Sequence, residues 1–178
     1  IKNTTGYSLN ALVDYRDPLE ILQHLMIGSE GTLGFISEIT YRTIPDPAHK
    51  GTALVLFPDI VSACSVVTEL KKQKIDAVEL FDRSSLQAIQ DQPTAPKHLK
   101  GLHKDACALL IETGDQHEYL RDSKVSKIIK LLSTTKVLVE PEFTSDSTEA
   151  AGLWKLRKGL FPSVGNLRKA GTLSLIHI

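Results

Sequence analysis

The sequence has 178 residues, of which 42% are hydrophobic, and its 21 basic residues balance its 21 acidic ones. This balance offers no electrostatic footprint for nucleic acid or an anionic membrane, and it disfavours both as partners. The longest apolar runs, such as residues 106–111, fall far short of the about 20 residues that a transmembrane helix needs. The composition therefore predicts a chain with a buried core and no transmembrane segment.

The two cysteines, Cys64 and Cys107, lie far apart in segments that we expect to be buried. They form no C-x-x-C pair, and nothing in their positions implies a disulfide, so we expect a reducing, cytoplasmic location. The chain has neither an initial Met nor a signal-peptide pattern, and we do not expect residue 1 to be the natural start. Residues 173–178 resemble the translation of a cloning scar, and we expect this tail to be non-native.

A first helix is predicted to begin at Asp17. In this interpretation Asp17 is the N-cap, Pro18 takes the first helical position and Glu20 follows three residues after the cap, as is usual at helix starts. Apolar residues then recur at helical spacing as far as Met26, and Gly28 ends the pattern. This short helix leads directly into a glycine-rich turn.

The turn holds three glycines at a spacing of three, Gly28, Gly31 and Gly34. Glycine tolerates positive φ and lets backbone amides approach a ligand closely, so such a turn can hold a phosphate. An ordinary helix C-cap is the alternative. The segment is neither a Rossmann fingerprint nor a P-loop, because it runs from helix to strand and no Gly-Lys-Ser/Thr follows. The pattern indicates a candidate anion cradle and leaves the C-cap interpretation open.

A strand with one buried face is predicted after the turn. Phe35, Ile39 and Tyr41 alternate with polar residues, which is the period of a half-buried strand. Pro45 and Pro47 then remove ladder donors and restrict their predecessors. We therefore expect a domain boundary directly after this strand.

The segment after the boundary alternates strand and helix patterns. Their order predicts a split βαβ arrangement, an α+β fold in which an antiparallel sheet carries helices on one face. Residues 90–104, with two prolines and a glycine, are expected to form an exposed loop. The strands are predicted at residues 53–57, 75–80, 106–112 and 137–139, and the helices at residues 59–70, 82–89 and 118–132.

A last helix is predicted to begin with a capping box at residues 146–149. Leu153, Trp154 and Leu160 form its apolar stripe, and Arg157 falls on the same stripe. Two interpretations of Arg157 stay open. The arginine could lay its stem along the edge of the core with its head in water, or it could offer a partly desolvated guanidinium fork to a carboxylate.

No metal site or hydrolase nucleophile is predicted. Ser29 does not lie in a G-x-S-x-G motif and has no evident base beside it. The histidines are dispersed, with no pair at i, i+4. Those outside residues 173–178 are His24, His49, His98, His103 and His117.

Three segments of the chain resemble the FAD-linked oxidases, the vanillyl-alcohol oxidase type of flavoprotein that includes D-lactate, glycolate and D-2-hydroxyglutarate dehydrogenases. Residues 28–36, with the strand that ends at residues 44–47, are similar to the last flavin-contacting segment of that family. Residues 2–9 are similar to the segment that precedes it. Residues 154–165 resemble the segment whose arginine grips the substrate carboxylate.

The resemblance implies a domain organisation and a set of site residues. Residues 1–47 would be the C-terminal part of an FAD-binding domain, and residues 50–172 part of a ferredoxin-like cap domain. Arg157 would anchor the substrate carboxylate. The residues implied to contact FAD, the last of them by packing, are Gly28, Ser29, Gly31, Thr32, Gly34 and Ile36.

The implied activity is the oxidation of a D-2-hydroxy acid, of the D-lactate or D-2-hydroxyglutarate class, to the 2-oxo acid with hydride transfer to flavin N5. In the family, the metal-binding histidines and the histidine that takes the hydroxyl proton lie downstream of Gly171. The chain is therefore expected to be an inactive fragment. Because the front half of the FAD domain, which holds most pyrophosphate contacts in the family, is missing from it, the chain is also expected to bind FAD weakly or not at all without the remainder of its own protein.

The amino-acid sequences of these motifs are most similar to those of large bacterial enzymes that carry an iron–sulfur domain. The resemblance thus implies a possible iron–sulfur cluster elsewhere in the parent protein, which could lie at the periphery of the inner membrane, and it leaves the electron acceptor open. The alternative from another class is a non-catalytic ferredoxin-like module that binds a small acid. In that case the glycine turn only connects two elements and binds no ligand.

Overall fold

The computed structural model describes residues 6–73 and 75–160. The chain divides into two compact units between Ile44 and Pro45, within the proline-rich segment where the sequence predicts a boundary. Residues 161–165 of the motif around Arg157, and the predicted tail, lie outside the described residues.

The first unit contains two helices, α1 (Ala11–Asp14) and α2 (Pro18–Met26). Asp17 caps α2, and its Oδ1 accepts hydrogen bonds from the amides of Leu19 at 2.7 Å and Glu20 at 3.4 Å. Pro18 takes the first helical turn as predicted. Residues 17–20 thus form the predicted helix start.

The prediction of a strand after the glycine turn is wrong, because residues 35–44 form no regular secondary structure. Its apolar side chains are exposed, with Phe35 91%, Tyr41 76% and Ile44 87% accessible. A strand exists only where a neighbour accepts and donates its backbone hydrogen bonds. The described part of the first unit contains no strand to act as that neighbour.

The second unit contains an antiparallel sheet in which β3 lies between β1 and β2. β1 pairs with β3 from His49↔Asp115 to Phe57↔Cys107, and β2 pairs with the other edge of β3. The predicted α+β fold with an antiparallel sheet is confirmed. The elements are β1 (His49–Phe57), α3 (Ile60–Leu70), β2 (Ala77–Phe81), α4 (Arg83–Ile89), β3 (Cys107–Asp115), α5 (Glu118–Leu132) and α6 (Ser147–Lys158).

The two longer helices of the split βαβ pattern, α3 and α5, share one face of the sheet as predicted. Alternate residues of β1 and β3 point toward them, and α5 occupies the predicted residues. The core on this face consists of Ala53, Val55, Phe57, Ala63, Val66, Leu70, Cys107, Leu109, Ile111, Ile128 and Leu132.

Helices also cover the opposite face of the sheet, where α4 and α6 pack over β1, β3 and β2. The segment 90–104 contributes a 3₁₀ turn, Lys97–Leu99, whose Leu99 is fully buried in this second core. The expectation that the whole segment is exposed is therefore wrong. Because both faces are covered, residues 107–111 of β3 are buried without interruption, as in sheets that lie between two layers.

The strand predicted at residues 137–139 does not form, although the chain does follow the outer edge of β1 there. The Leu138 amide donates to the Leu56 carbonyl at 2.9 Å, and Thr144 exchanges two hydrogen bonds with Thr52 at 3.0 and 2.9 Å. Pro141 lies between these contacts and has no amide to donate. The segment therefore contacts β1 at its two ends without forming a continuous ladder.

The two cysteines differ in environment. Cys107 is buried in β3, and burial raises the pKa of its thiol to about 11. Cys64 is exposed on α3, so the expectation that both thiols lie in buried segments is wrong for Cys64. It occupies the solvent side of the helix because Ala63, Val66 and Leu70 form the buried stripe.

Candidate functional site

The glycine turn at the end of α2 is built from left-handed backbone conformations. Gly28 and Gly31 both have φ near +80°, and Glu30 between them has φ +51°. Only glycine adopts such angles without steric penalty. Turns that contain left-handed residues can direct neighbouring backbone amides toward one side, and anion-binding concavities are formed in this way.

Thr32 and Ser29 hold the turn together. The Thr32 amide donates to the Ser29 carbonyl at 2.9 Å, and the Thr32 hydroxyl donates to the same carbonyl at 2.6 Å. The Ser29 amide donates to the Met26 carbonyl at 3.2 Å, and the Tyr7 and Thr32 hydroxyls share a hydrogen bond of 2.9 Å. The amides of Ser29 and Thr32 are thus already bonded within the protein.

The remaining amides of the turn are available to a ligand. Those of Gly28, Glu30, Gly31 and Gly34 donate to no residue that the structure describes. A Cβ added at Gly28 or Gly31 would meet nothing within 4 Å, whereas one at Gly34 would lie 3.0 Å from Met26 Cε. The turn therefore has an open outer side beside its free amides, and this geometry fits an anionic part of a dinucleotide such as FAD.

Two further side chains lie at the turn. Ile36 is 45% exposed, which leaves it free to pack against a ligand. The carboxylate of Glu30 is exposed, and like charges make it unfavourable near a phosphate. The assignment of Gly28, Ser29, Gly31, Thr32, Gly34 and Ile36 to FAD stays a prediction, in which Ser29 and Thr32 shape the turn while the glycine amides remain free to donate to the ligand.

Arg157 lies on α6 at the border of the second core. The buried residue of α6 is Leu156, and Arg157 keeps 47% of its side chain exposed. Its Nη2 contacts both carboxylate oxygens of Glu79, at 3.3 and 3.4 Å. The guanidinium is thus paired and half-exposed, which is closer to the interpretation with its head in water than to a desolvated fork.

Trp154, one turn earlier on α6, makes a polar contact that the sequence does not predict. Its indole Nε1 donates to Glu112 Oε2 at 2.5 Å, and the Thr52 hydroxyl donates to the same oxygen at 2.9 Å. The available signal is that Glu112 follows directly after the apolar run 106–111. A carboxylate there needs hydrogen-bond donors, and a tryptophan supplies one.

The two carboxylates beneath α6 lie on the same face of the sheet. On β2 and β3, Glu79 is directly opposite Leu110, and Ala77 is directly opposite Glu112. Opposite residues of an antiparallel pair share a face of the sheet. Leu110 belongs to the second core. The sheet therefore presents Glu112 to Trp154 and Glu79 to Arg157, and each of these two side chains of α6 contacts a carboxylate of the sheet.

A cleft of about 820 Å³ lies beside the N-terminal half of α6. Its rim carries four carboxyl side chains, and a negative rim of this kind repels an acid substrate. Within the second unit, a substrate carboxylate therefore fits Arg157 better than this cleft. The acidic residues are Glu140, Glu142, Asp146 and Glu149.

Among residues 6–73 and 75–160, no group of three or more His, Cys, Asp or Glu side chains is placed to hold a metal ion. In the same part of the chain, no helix has the length and apolar character to span a bilayer.

The fold and these features define an α+β domain that presents an arginine beside a sheet, preceded in the chain by an open glycine turn. Residues 46–177 match the family described as FAD linked oxidases, C-terminal domain. The chain belongs to this family.

Similar proteins carry related activities in their names. A mitochondrial D-2-hydroxyglutarate dehydrogenase of Arabidopsis thaliana is 26% identical over 97% of this chain. A mitochondrial D-lactate dehydrogenase [cytochrome] of the same plant is 31% identical over 77% of the chain, and a glycolate oxidase subunit of Bacillus subtilis is 33% identical over 47%. The chain spans 28%, 23% and 19% of the lengths of these relatives.

A solved structure described as alkyldihydroxyacetonephosphate synthase has the same fold. It superposes with a TM-score of 0.55 over 82% of this chain and 28% of its own length, at 19% identity.

Proposed function

We propose that this chain is part of an FAD-dependent dehydrogenase that oxidises a D-2-hydroxy acid of the D-lactate or D-2-hydroxyglutarate class to the 2-oxo acid. The observation that carries the proposal is the half-exposed guanidinium of Arg157 on a domain of the FAD-linked oxidase family. The names of two relatives, a D-2-hydroxyglutarate and a D-lactate dehydrogenase, support the substrate class.

In this proposal the free amides of Gly28, Gly31 and Gly34 donate hydrogen bonds to an anionic part of FAD. Backbone donors suit this task because they carry no charge and allow close approach. FAD supplies the hydride acceptor when it is bound. Thr32 and Ser29 contribute by holding the turn in the open conformation.

Arg157 binds and orients the substrate in the same proposal. Its planar fork matches a carboxylate in bidentate geometry, which fixes direction as well as position. Placement of the substrate carbon near the hydride acceptor is the main catalytic contribution that such a residue makes. The resemblance implies a base for the hydroxyl proton beyond Gly171, so in this proposal the chain contributes binding and orientation.

The test is to express the full-length polypeptide, cloned with the coding sequence that flanks this chain. We expect a yellow flavoprotein whose flavin absorbance is bleached by D-lactate or D-2-hydroxyglutarate and not by their L-enantiomers. Arg157→Lys retains the charge but loses the fork, and Arg157→Met loses both. We expect the second variant to raise KM more than the first.

A protein that contains no flavin but binds small acids would instead support the alternative, a non-catalytic ferredoxin-like module. A flavoprotein that is bleached equally well after Arg157→Met would contradict the role of Arg157 and leave the class of enzyme intact.

A further inference from the structure

The guanidinium of Arg157 is held from one side only. Glu79 contacts Nη2, while Nε and Nη1 donate to no residue in the described part of the chain. An arginine has five N–H donors in a rigid plane, so one carboxylate on Nη2 leaves other donors free for a second carboxylate. The pair with Glu79 therefore does not close the site to a substrate.

Glu79 has a shorter side chain than Arg157 and extends from a paired strand. Glu79 lies in the middle of β2, which pairs with β3 over its whole length from Ala77 to Phe81. Arg157 has a long stem with several rotatable bonds, and ordering such a side chain on binding carries an entropic penalty. A carboxylate on a short side chain that extends from a paired strand can hold the guanidinium near one orientation before any ligand arrives.

The helix that carries Arg157 is fixed independently of this pair. The Trp154 indole bonds to Glu112 at 2.5 Å, and Leu156 is buried in the second core. Loss of the Glu79 contact therefore frees the side chain of Arg157 and leaves α6 in place. An exposed ion pair of this length also adds little to overall stability.

We propose that Glu79 is a positioning residue that holds the Arg157 guanidinium ready for the substrate carboxylate. This inference rests on the proposed function of Arg157 as the carboxylate anchor. Glu79 does not touch the substrate in this scheme. It acts through Arg157, and its removal weakens substrate binding without changing the hydride-transfer step.

The test compares Glu79→Gln and Glu79→Ala in the full-length flavoprotein. We expect KM for the D-2-hydroxy acid to rise by about 3- to 10-fold in Glu79→Ala, which corresponds to the ordering of one long side chain, while kcat changes little. Glu79→Gln keeps an oxygen acceptor for Nη2 and should fall between Ala and wild type. Neither variant should lower the unfolding midpoint measurably.

The matched control is Glu69→Gln, which removes a carboxylate from another exposed pair, with Lys72 on the opposite face of the sheet. It should leave KM unchanged. In an Arg157→Met background, Glu79→Ala should have no further effect on KM, since coupled residues are not additive.

The outcomes separate the two claims. A wild-type protein whose flavin no D-2-hydroxy acid bleaches overturns the proposed function, and the inference with it. An active wild type with unchanged or lowered KM in Glu79→Ala overturns the inference alone, because a lowered KM means that Glu79 competes with the substrate. A joint loss of kcat and of the unfolding midpoint would show a merely structural role and would also overturn it.

Discussion

The indole of Trp154 donates its N–H to Glu112, and this one bond ties the helix α6 to the middle strand of the sheet. The same carboxylate oxygen also accepts from Thr52 of β1. Residues of three different elements therefore meet at one atom. The arrangement keeps α6 in place over the second core, and it can be tested apart from any activity.

Trp154→Phe should lower the free energy of unfolding by about 1–2 kcal/mol, since it removes one donor from a partly buried carboxylate. Urea denaturation of the 178-residue chain measures the change. Tyr119→Phe, which alters an aromatic that is 69% exposed, is the control and should have almost no effect. Equal stability of both variants would contradict the importance of the Trp154–Glu112 bond.

Gly31→Ala and Gly152→Ala should change stability in opposite directions. Gly31 has φ +80°, and a Cβ there costs about 1–2 kcal/mol. Gly152 lies within α6, where a Cβ would sit 3.7 Å from Thr94, and Gly→Ala inside a helix gains about 0.5–1 kcal/mol. Hydrogen exchange of α2 and of α6 reports each effect locally. A neutral Gly31→Ala would show that the turn does not need its left-handed conformation.

Asp59 should make the stability of the second unit depend on pH in the acid range. The hydrogen bond from the Ser62 amide lowers the pKa of Asp59 below its ordinary value of 3.8. Because the folded state binds this proton more weakly, the contribution is complete above the unfolded pKa. It is lost as the pH falls through the lower folded-state pKa.

Asp59→Asn tests this dependence, because asparagine also caps helices well but does not titrate. We expect nearly wild-type stability at pH 7 and a smaller loss of stability than in wild type below about pH 4. Chemical denaturation at several pH values compares the two slopes. If stability falls equally steeply with decreasing pH in the two proteins, Asp59 does not contribute to the pH dependence of stability.

The two cysteines should react at different rates with a thiol reagent. Cys64 is exposed, whereas burial raises the pKa of the Cys107 thiol to about 11, and the thiolate is the reactive form. One thiol should therefore react quickly in the native chain and both in denaturant. Cys64→Ser should abolish the fast phase. A fast phase that survives this substitution would mean that Cys107 is accessible.

Local chemistry explains what the sequence predicts correctly. Asp17, Pro18 and Asp146 determine helix starts through contacts with residues two or three positions away, and those contacts form as expected. The Glu149 of the predicted capping box departs slightly from the pattern. It accepts from the Thr144 hydroxyl at 2.5 Å, and Thr144 in turn accepts from the Asp146 amide at 3.1 Å.

The errors arise where a residue depends on a partner far away in the sequence. The alternation of apolar and polar residues at 35–44 predicts a strand, but it cannot supply the neighbouring strand that would pair with it. Similarly, the apolar stripe of α6 does not reveal that Arg157 contacts Glu79, 78 residues earlier. The burial of Leu99 and the second covered face likewise depend on tertiary packing. The predictions about Gly31 and its neighbours as flavin contacts depend on a ligand and stay predictions.

The segment that follows the outer edge of β1 has a consequence for association between molecules. An open edge strand can recruit strands from other copies and begin aggregation, and proteins often block such edges with proline or a covering loop. Here Leu138 bonds to Leu56 and Thr144 bonds to Thr52 along this edge, and Pro141 between them offers no amide. The edge of β1 is thus covered between residues 52 and 56. The covering segment does not itself form a strand with which another molecule could pair.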